Sequence, residues 1–264
     1  MIMENTMENM TRKKSKIASW FALCPAAHIV TLLSSAVIAL HLALRGDHAL
    51  MARISENAVR PVHAALAVLN SHVGFSVAEV LIVITAAAVL ARLVYGLVRL
   101  LRGKSSLRRA YRLVMGLAAL ALAVYAGFSL LWGVYYYGDD FMAKSGLDSS
   151  PVSTEQLETV TEYFARLANC YGDEVERNAD GFYICDRDAI FARSPSLFDN
   201  TVRDFPCMYG PRVAAKGVWL SRGMSYIDFT GFFFPFTGEA NVNTDFPPSL
   251  FASTVAHELS HQRG

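Results

Sequence analysis

The sequence lacks the marks of several common functional classes. It has no glycine-rich phosphate loop and no Gly-x-Ser-x-Gly elbow, so P-loop nucleotide chemistry and the serine-hydrolase elbow have no signature here. No internal repeat or low-complexity segment stands out. An excess of one charge is also missing. The 24 basic and 23 acidic residues leave a net charge of +1, so no field points to nucleic acid as a partner. Cysteine is scarce. Cys24 precedes the first apolar run, and Cys170, Cys185 and Cys207 lie in the C-terminal half. An odd number leaves one unpaired if a disulfide forms. Cys170 and Cys185 bracket a short polar turn and either pair or stay reduced. The spacings are not those of a zinc knuckle.

What the chain has in abundance is apolar residues. They make up 53 % of it, and its mean hydropathy is +0.29. They concentrate in three runs, at about residues 26–44, 77–98 and 113–137. Each is long enough for a helix to cross a bilayer core of about 30 Å. The third has no charged residue and ends in Trp132, Tyr135, Tyr136 and Tyr137, aromatics suited to a membrane interface. Arg92, inside the second run, can snorkel toward the nearer end. Three such runs are hard to bury in so short a chain, so a lipid bilayer is the expected partner.

Basic residues orient the runs. Arg12, Lys13, Lys14 and Lys16 precede the first. Arg99, Arg102, Lys104, Arg108, Arg109 and Arg112 separate the second from the third, with no acidic residue among them. The connection between the first two is mixed in charge. The positive-inside rule then predicts a cytoplasmic tail at 1–25, a three-span membrane region at 26–137, and an extracytoplasmic domain at 138–264 of a multi-pass cell-membrane protein. The first run lacks a convincing cleavage site, so an anchor is expected rather than a signal peptide. The basic connection also has the composition of an acidic-lipid patch, but a topology determinant is the simpler reading.

In the C-terminal half, Ser153 with Gln156 predicts a capping box opening a helix, and Leu157, Val160, Phe164 and Leu167 predict its apolar, core-facing side. Asn178–Gly181 predicts a turn and Phe182–Cys185 a short strand. A further strand is expected near Gly217–Leu220. The aromatic stretch Tyr226–Phe236 predicts a strand or hairpin turned at Gly231 and stopped at Pro235. Thr237–Asn243 has the look of a solvated loop, with Glu239, Asn241 and Asn243 as candidate cleft residues. A last helix begins at Pro247-Pro248.

That helix carries His257-Glu258-Leu259-Ser260-His261, an H-E-x-x-H pattern. Residues four apart on a helix share one face, so His257 and His261 can hold one zinc ion. Glu258 is the candidate general base that takes a proton from water. A catalytic zinc usually has a third protein ligand, and none follows before Gly264. Charged neighbours Arg222, Glu239, Asp245 and Arg263 argue against a histidine helix inside the bilayer.

The segments Lys216–Ser221, Ser225-Tyr226, Gly231–Asn243 and His257–Gly264 resemble the family of bacterial membrane proteins known as domain of unknown function 3810. That family is similar to the zincin-type metallopeptidases. The resemblance covers most of the chain. It implies a three-helix membrane anchor followed by an α+β zincin-like domain, with Zn2+ on His257 and His261 and Glu258 as base. It also implies a third ligand soon after the histidines, so the domain is expected to be incomplete at its C-terminus. The match to His-Glu-x-x-His-x-x-Gly leaves open whether that ligand is Glu or a later His. The expected activity is a membrane-anchored zinc metallopeptidase acting on a peptide or protein substrate. The alternatives are a non-catalytic membrane sensor or binding protein on a zincin scaffold, and an inactive fragment.

Overall fold

A computed structural model of the chain describes residues 19–102, 106–148 and 150–263. Most of the 1–25 tail, with Arg12, Lys13, Lys14 and Lys16, lies outside the described residues, as do Lys104 and Gly264. The chain forms two compact units. One comprises residues up to Leu50 together with Val80–Tyr137, and the other Met51–Glu79 together with Gly138–Gly264.

The first unit is built from three long helices: α1 (Pro25–Leu44), α4 (Val77–Leu101) and α5 (Ser106–Leu131). Over Pro25–Leu44, Val77–Leu101 and Leu107–Leu131 they are long and apolar enough to cross a membrane. Their large apolar side chains point outward, with Leu32 71 % and Leu90 63 % exposed, as helices facing lipid tails require. The third helix starts and stops about six residues earlier than its uncharged run. Arg108, Arg109 and Arg112 are already helical, and Gly133–Tyr137 tightens into a 3-10 turn.

The second unit takes in the connection between the first two long helices, which spacing alone groups with the membrane region. That connection contains α2 (His48–Ile54), a π-helical turn (Ser55–Val59) and α3 (Arg60–Asn70). The C-terminal part adds α6 (Phe141–Ser145), α7 (Thr154–Gly172), α8 (Arg187–Arg193) and α9 (Thr201–Asp204). Strand β1 (Lys216–Val218), α10 (Ser221–Ser225), β2 (Gly231–Phe234), β3 (Glu239–Asn243) and α11 (Pro248–His261) complete it. The sheet order is β1-β3-β2. Strand β1 runs parallel to β3, and β2 antiparallel, with Gly231 opposite Val242 and Phe233 opposite Ala240.

Strand β3 is buried along its whole length, where the sequence pointed to a solvated loop. Its Glu-Ala-Asn-Val-Asn alternation explains the difference. Successive side chains point to opposite faces. Ala240 and Val242 form the core with Phe251, Val255 and Leu259 of α11, residues four apart on one helical side. Burial of each large side chain contributes about 1.5–3 kcal/mol. The polar residues occupy the other face.

The hairpin turns at Pro235–Gly238 rather than at Gly231. Gly238 supplies the left-handed turn residue, at φ 67°, a conformation that costs glycine little. A Cβ there would lie 2.5 Å from the His63 carbonyl.

Helix α7 opens with the expected capping box. The Ser153 side chain accepts from the Gln156 N–H, and the Gln156 side chain accepts from the Ser153 N–H. Its apolar side, expected to face the core, is exposed, with Phe164 at 62 %. The strand expected at Phe182–Cys185 is reduced to one bridge between Arg177 and Tyr183. All four cysteines are free thiols.

Candidate metal centre

Helix α11 brings His257 and His261 together because they lie one turn apart on its open side, opposite Val255 and Leu259. Their Nε2 atoms are 3.1 Å apart, and the rings meet edge to face with centroids 4.7 Å apart. Two imidazoles in a tetrahedral zinc site, each about 2.0–2.1 Å from the metal, place their nitrogens about 3.3 Å from one another. The donor set therefore fits one zinc ion without rearrangement of the helix. His257 is exposed and His261 half-buried. Burial, and then the neighbouring His257, hold the His261 pKa below its ordinary value, which favours the neutral imidazole that a metal needs. Among the described residues no third His, Cys, Asp or Glu clusters with the pair.

Glu258 flanks the histidine face, one residue on from His257, and is 4 % exposed. Burial pushes its pKa up to about 7, opposed by a hydrogen bond from the Phe233 N–H. That bond follows from strand geometry. Antiparallel pairs alternate between hydrogen-bonded and non-bonded. The Asn243 N–H donates to the Thr230 carbonyl, so the Phe233–Ala240 pair is a non-bonded one. Phe233 therefore directs its N–H away from β3, toward the open edge of the sheet, and Glu258 meets it there.

Gly231 makes this approach possible. A Cβ on it would lie 2.8 Å from Glu258 Cγ and 2.8 Å from the Asn241 carbonyl oxygen. The sequence marks neither Gly231 nor Phe233 as a site residue. The aromatic run and its single glycine are the available signal, and they read as a turn.

The structure does not bring Glu239, Asn241 and Asn243 to the histidines. They occupy the face of β3 opposite Ala240 and Val242, and all three are buried. Glu239 accepts from Lys216 Nζ at 2.6 Å and from the N–H groups of Val77 at 3.2 Å and Ala78 at 2.7 Å. It thus satisfies first-turn amides of α4 that have no partner within the helix. Asn241 Oδ1 accepts from Ser76 Oγ at 2.6 Å. Asn243 Nδ2 donates to Ser225 Oγ and to the Phe229 carbonyl. On the same side Glu79 accepts from the N–H groups of Trp219 and Leu220. This face is a closed polar network, with each acceptor matched to a donor.

Comparison with known families matches residues 55–264 to the family described as Protein of unknown function (DUF3810). The chain belongs to that family. The match takes in the Met51–Glu79 connection from Ser55 onward, two of the long helices and the whole of the sheet with α11. No curated protein and no solved structure matches the chain.

Proposed function

We propose that this member of the DUF3810 family is a membrane-anchored zinc metallopeptidase whose C-terminal unit lies outside the cytoplasmic membrane. The observation that carries the reading is the 3.1 Å convergence of His257 and His261 Nε2 beside a buried carboxylate that can hold a proton near neutral pH. Zinc, when bound, supplies Lewis acidity and lowers the pKa of water at the site. His257 and His261 would hold it through Nε2. Glu258, whose pKa burial pushes up to about 7, would accept the proton of the attacking water and return it to the leaving amine. Among the described residues strand β2 pairs on one side only, so an extended peptide can add along its open edge. That edge passes Glu258, because the outward N–H of Phe233 already meets it.

Two observations support the orientation. Met51–Glu79 and Gly138–Gly264 fold into one compact unit, which keeps both segments on one side of a bilayer. The run of basic residues from Arg99 to Arg112 belongs to the other connection, and the positive-inside rule puts that connection in the cytoplasm. Maleimide labelling of the exposed Cys170 in intact cells tests the placement. Labelling only in inverted vesicles would reverse it.

The decisive test of the chemistry is Glu258→Gln. Peptide hydrolysis should disappear while metal analysis finds zinc content unchanged. Turnover equal to wild type would sink the mechanism. A second reading, a non-catalytic zinc-binding sensor on the same scaffold, is favoured by the two-donor cluster. The same assays separate it: wild-type protein would then hold zinc and hydrolyse nothing.

A further inference from the structure

Four arginines converge on one cavity in the three-helix unit, far in sequence from the histidine motif. The cavity has a volume of about 350 Å3. Arg92, Tyr95 and Arg99 line it from α4, Arg109 and Arg112 from α5, and Leu23 from the segment before α1. Among the described residues none of these arginines forms an ion pair. Their hydrogen bonds go to uncharged acceptors. Arg92 donates to the Arg112 carbonyl at 3.0 Å, Arg109 to the Arg99 carbonyl at 2.8 Å, Arg112 to the Leu23 carbonyl at 3.1 Å, and Arg99 to the Tyr95 hydroxyl at 2.6 Å. Each guanidinium has five N–H donors, so most of the cavity's donor capacity is unmatched.

The arrangement is built into the helix packing. Gly116 of α5 leaves room for the Arg92 guanidinium, because a Cβ there would lie 2.0 Å from Arg92 Nη2. Arg92 sits nine residues before the end of α4, about 14 Å along its axis. It is thus drawn toward the other three rather than left alone among apolar neighbours. A topology determinant needs only positive charges in a connection. It does not need an arginine this deep, nor a glycine to seat it.

We propose that this cavity binds the phosphate of an anionic phospholipid headgroup. Guanidinium forks match phosphate oxygens in pairs, and bonds between ionised partners are the strong ones. Basic pockets between spanning helices are a known form of headgroup site. The lipid is preferred over a free phosphate ion because apolar surface adjoins the cavity. Leu23, Gly96 and Leu113 line the cavity itself, and Leu93, next to Arg92 on α4, is exposed, so an acyl chain meets apolar surface at the cavity wall. Trp20 packs edge to face on Tyr111 at 4.8 Å, and His28 bonds the Tyr111 hydroxyl at 2.7 Å. Tyr111 lies between Arg109 and Arg112 in α5, so both contacts gather amphipathic rings in the same stretch of chain, as at a membrane interface.

The test is native mass spectrometry of the full chain in detergent with phosphatidylglycerol or phosphatidylcholine added. Wild-type protein should retain the anionic lipid at least about tenfold more strongly, as expected when one charge-assisted contact is gained. This comparison needs no variant, so it stands even if a substitution prevents folding. Arg92→Gln with Arg112→Gln should remove the preference. Arg102→Gln with Arg108→Gln, outside the cavity but equal in charge removed, should keep it. Millimolar inorganic phosphate should not displace the lipid. Equal retention of both lipids, equal loss in both double variants, or displacement by phosphate would each overturn the proposal.

Discussion

The two faces of the β2–β3 ribbon each bury a carboxylate and treat it in opposite ways. Glu239 is 3 % exposed and Glu258 4 %. Glu239 accepts from a lysine and two helix amides. Glu258 is held by a single strand N–H, and its pKa is pushed up to about 7. Burial is the same, so burial alone does not separate architecture from chemistry. The difference lies in how completely the buried group is matched. A matched carboxylate fixes structure. An under-matched one keeps a proton equilibrium near neutral pH, as a general base requires.

Substitutions on the two faces should therefore fail differently. On the proposed function, Glu258→Gln should lower peptide hydrolysis by about 10²–10⁴-fold while leaving the thermal unfolding midpoint near that of wild type. A large fall in the midpoint would erase the contrast. Glu239→Ala should do the reverse. It leaves the half-buried Lys216 without its carboxylate and α4 uncapped, a loss of up to about 3–5 kcal/mol that chemical denaturation in detergent would read. Unchanged stability would show that the network contributes little.

His63 sharpens the comparison from the side of α3, where its ring meets Phe233 at 5.1 Å. Burial lowers its pKa from 6.5 to about 4, so the folded state favours the neutral ring. Below pH 6.5 the unfolded chain binds a proton that the folded one resists. Stability is full above pH 6.5 and falls as pH drops toward 4, by up to about 3 kcal/mol. Glu258 titrates in the opposite sense, so the useful measurement is the difference between wild type and His63→Phe across that window. A difference that does not vary with pH would contradict the burial argument. The smallest effect is expected on α7. Leu157→Ser and Phe164→Ser remove exposed side chains and should shift stability by no more than about 0.5 kcal/mol. A larger loss would mean that this side of α7 is covered in the working protein.

The sequence makes some of this plain and hides the rest for identifiable reasons. The three long helices, the Ser153–Gln156 cap and the histidine helix are local patterns, complete within a few turns. Strand β3 is not. Glu239, Asn241 and Asn243 look like loop residues because their partners, Lys216, Ser76 and Ser225, lie elsewhere in the chain and carry no mark of the pairing. Gly231 looks like a turn because nothing nearby in sequence reveals that Glu258 must press against its Cα. The apolar side of α7 looks like core because periodicity records which residues share a face, not whether anything covers it.

The bond between Glu239 and the Ala78 N–H spans 161 residues, and that separation has a consequence in time. At about 5–20 residues per second, roughly 8–30 s of synthesis pass between the two positions. Through that interval the first turn of α4 has been made, but the carboxylate that closes it has not. The start of the second long helix is therefore a provisional boundary, free to fray until strand β3 arrives. Strand β3 fixes where an early helix begins, so a ribosome that stalls before residue 239 would leave the polar network around Glu239 unfinished.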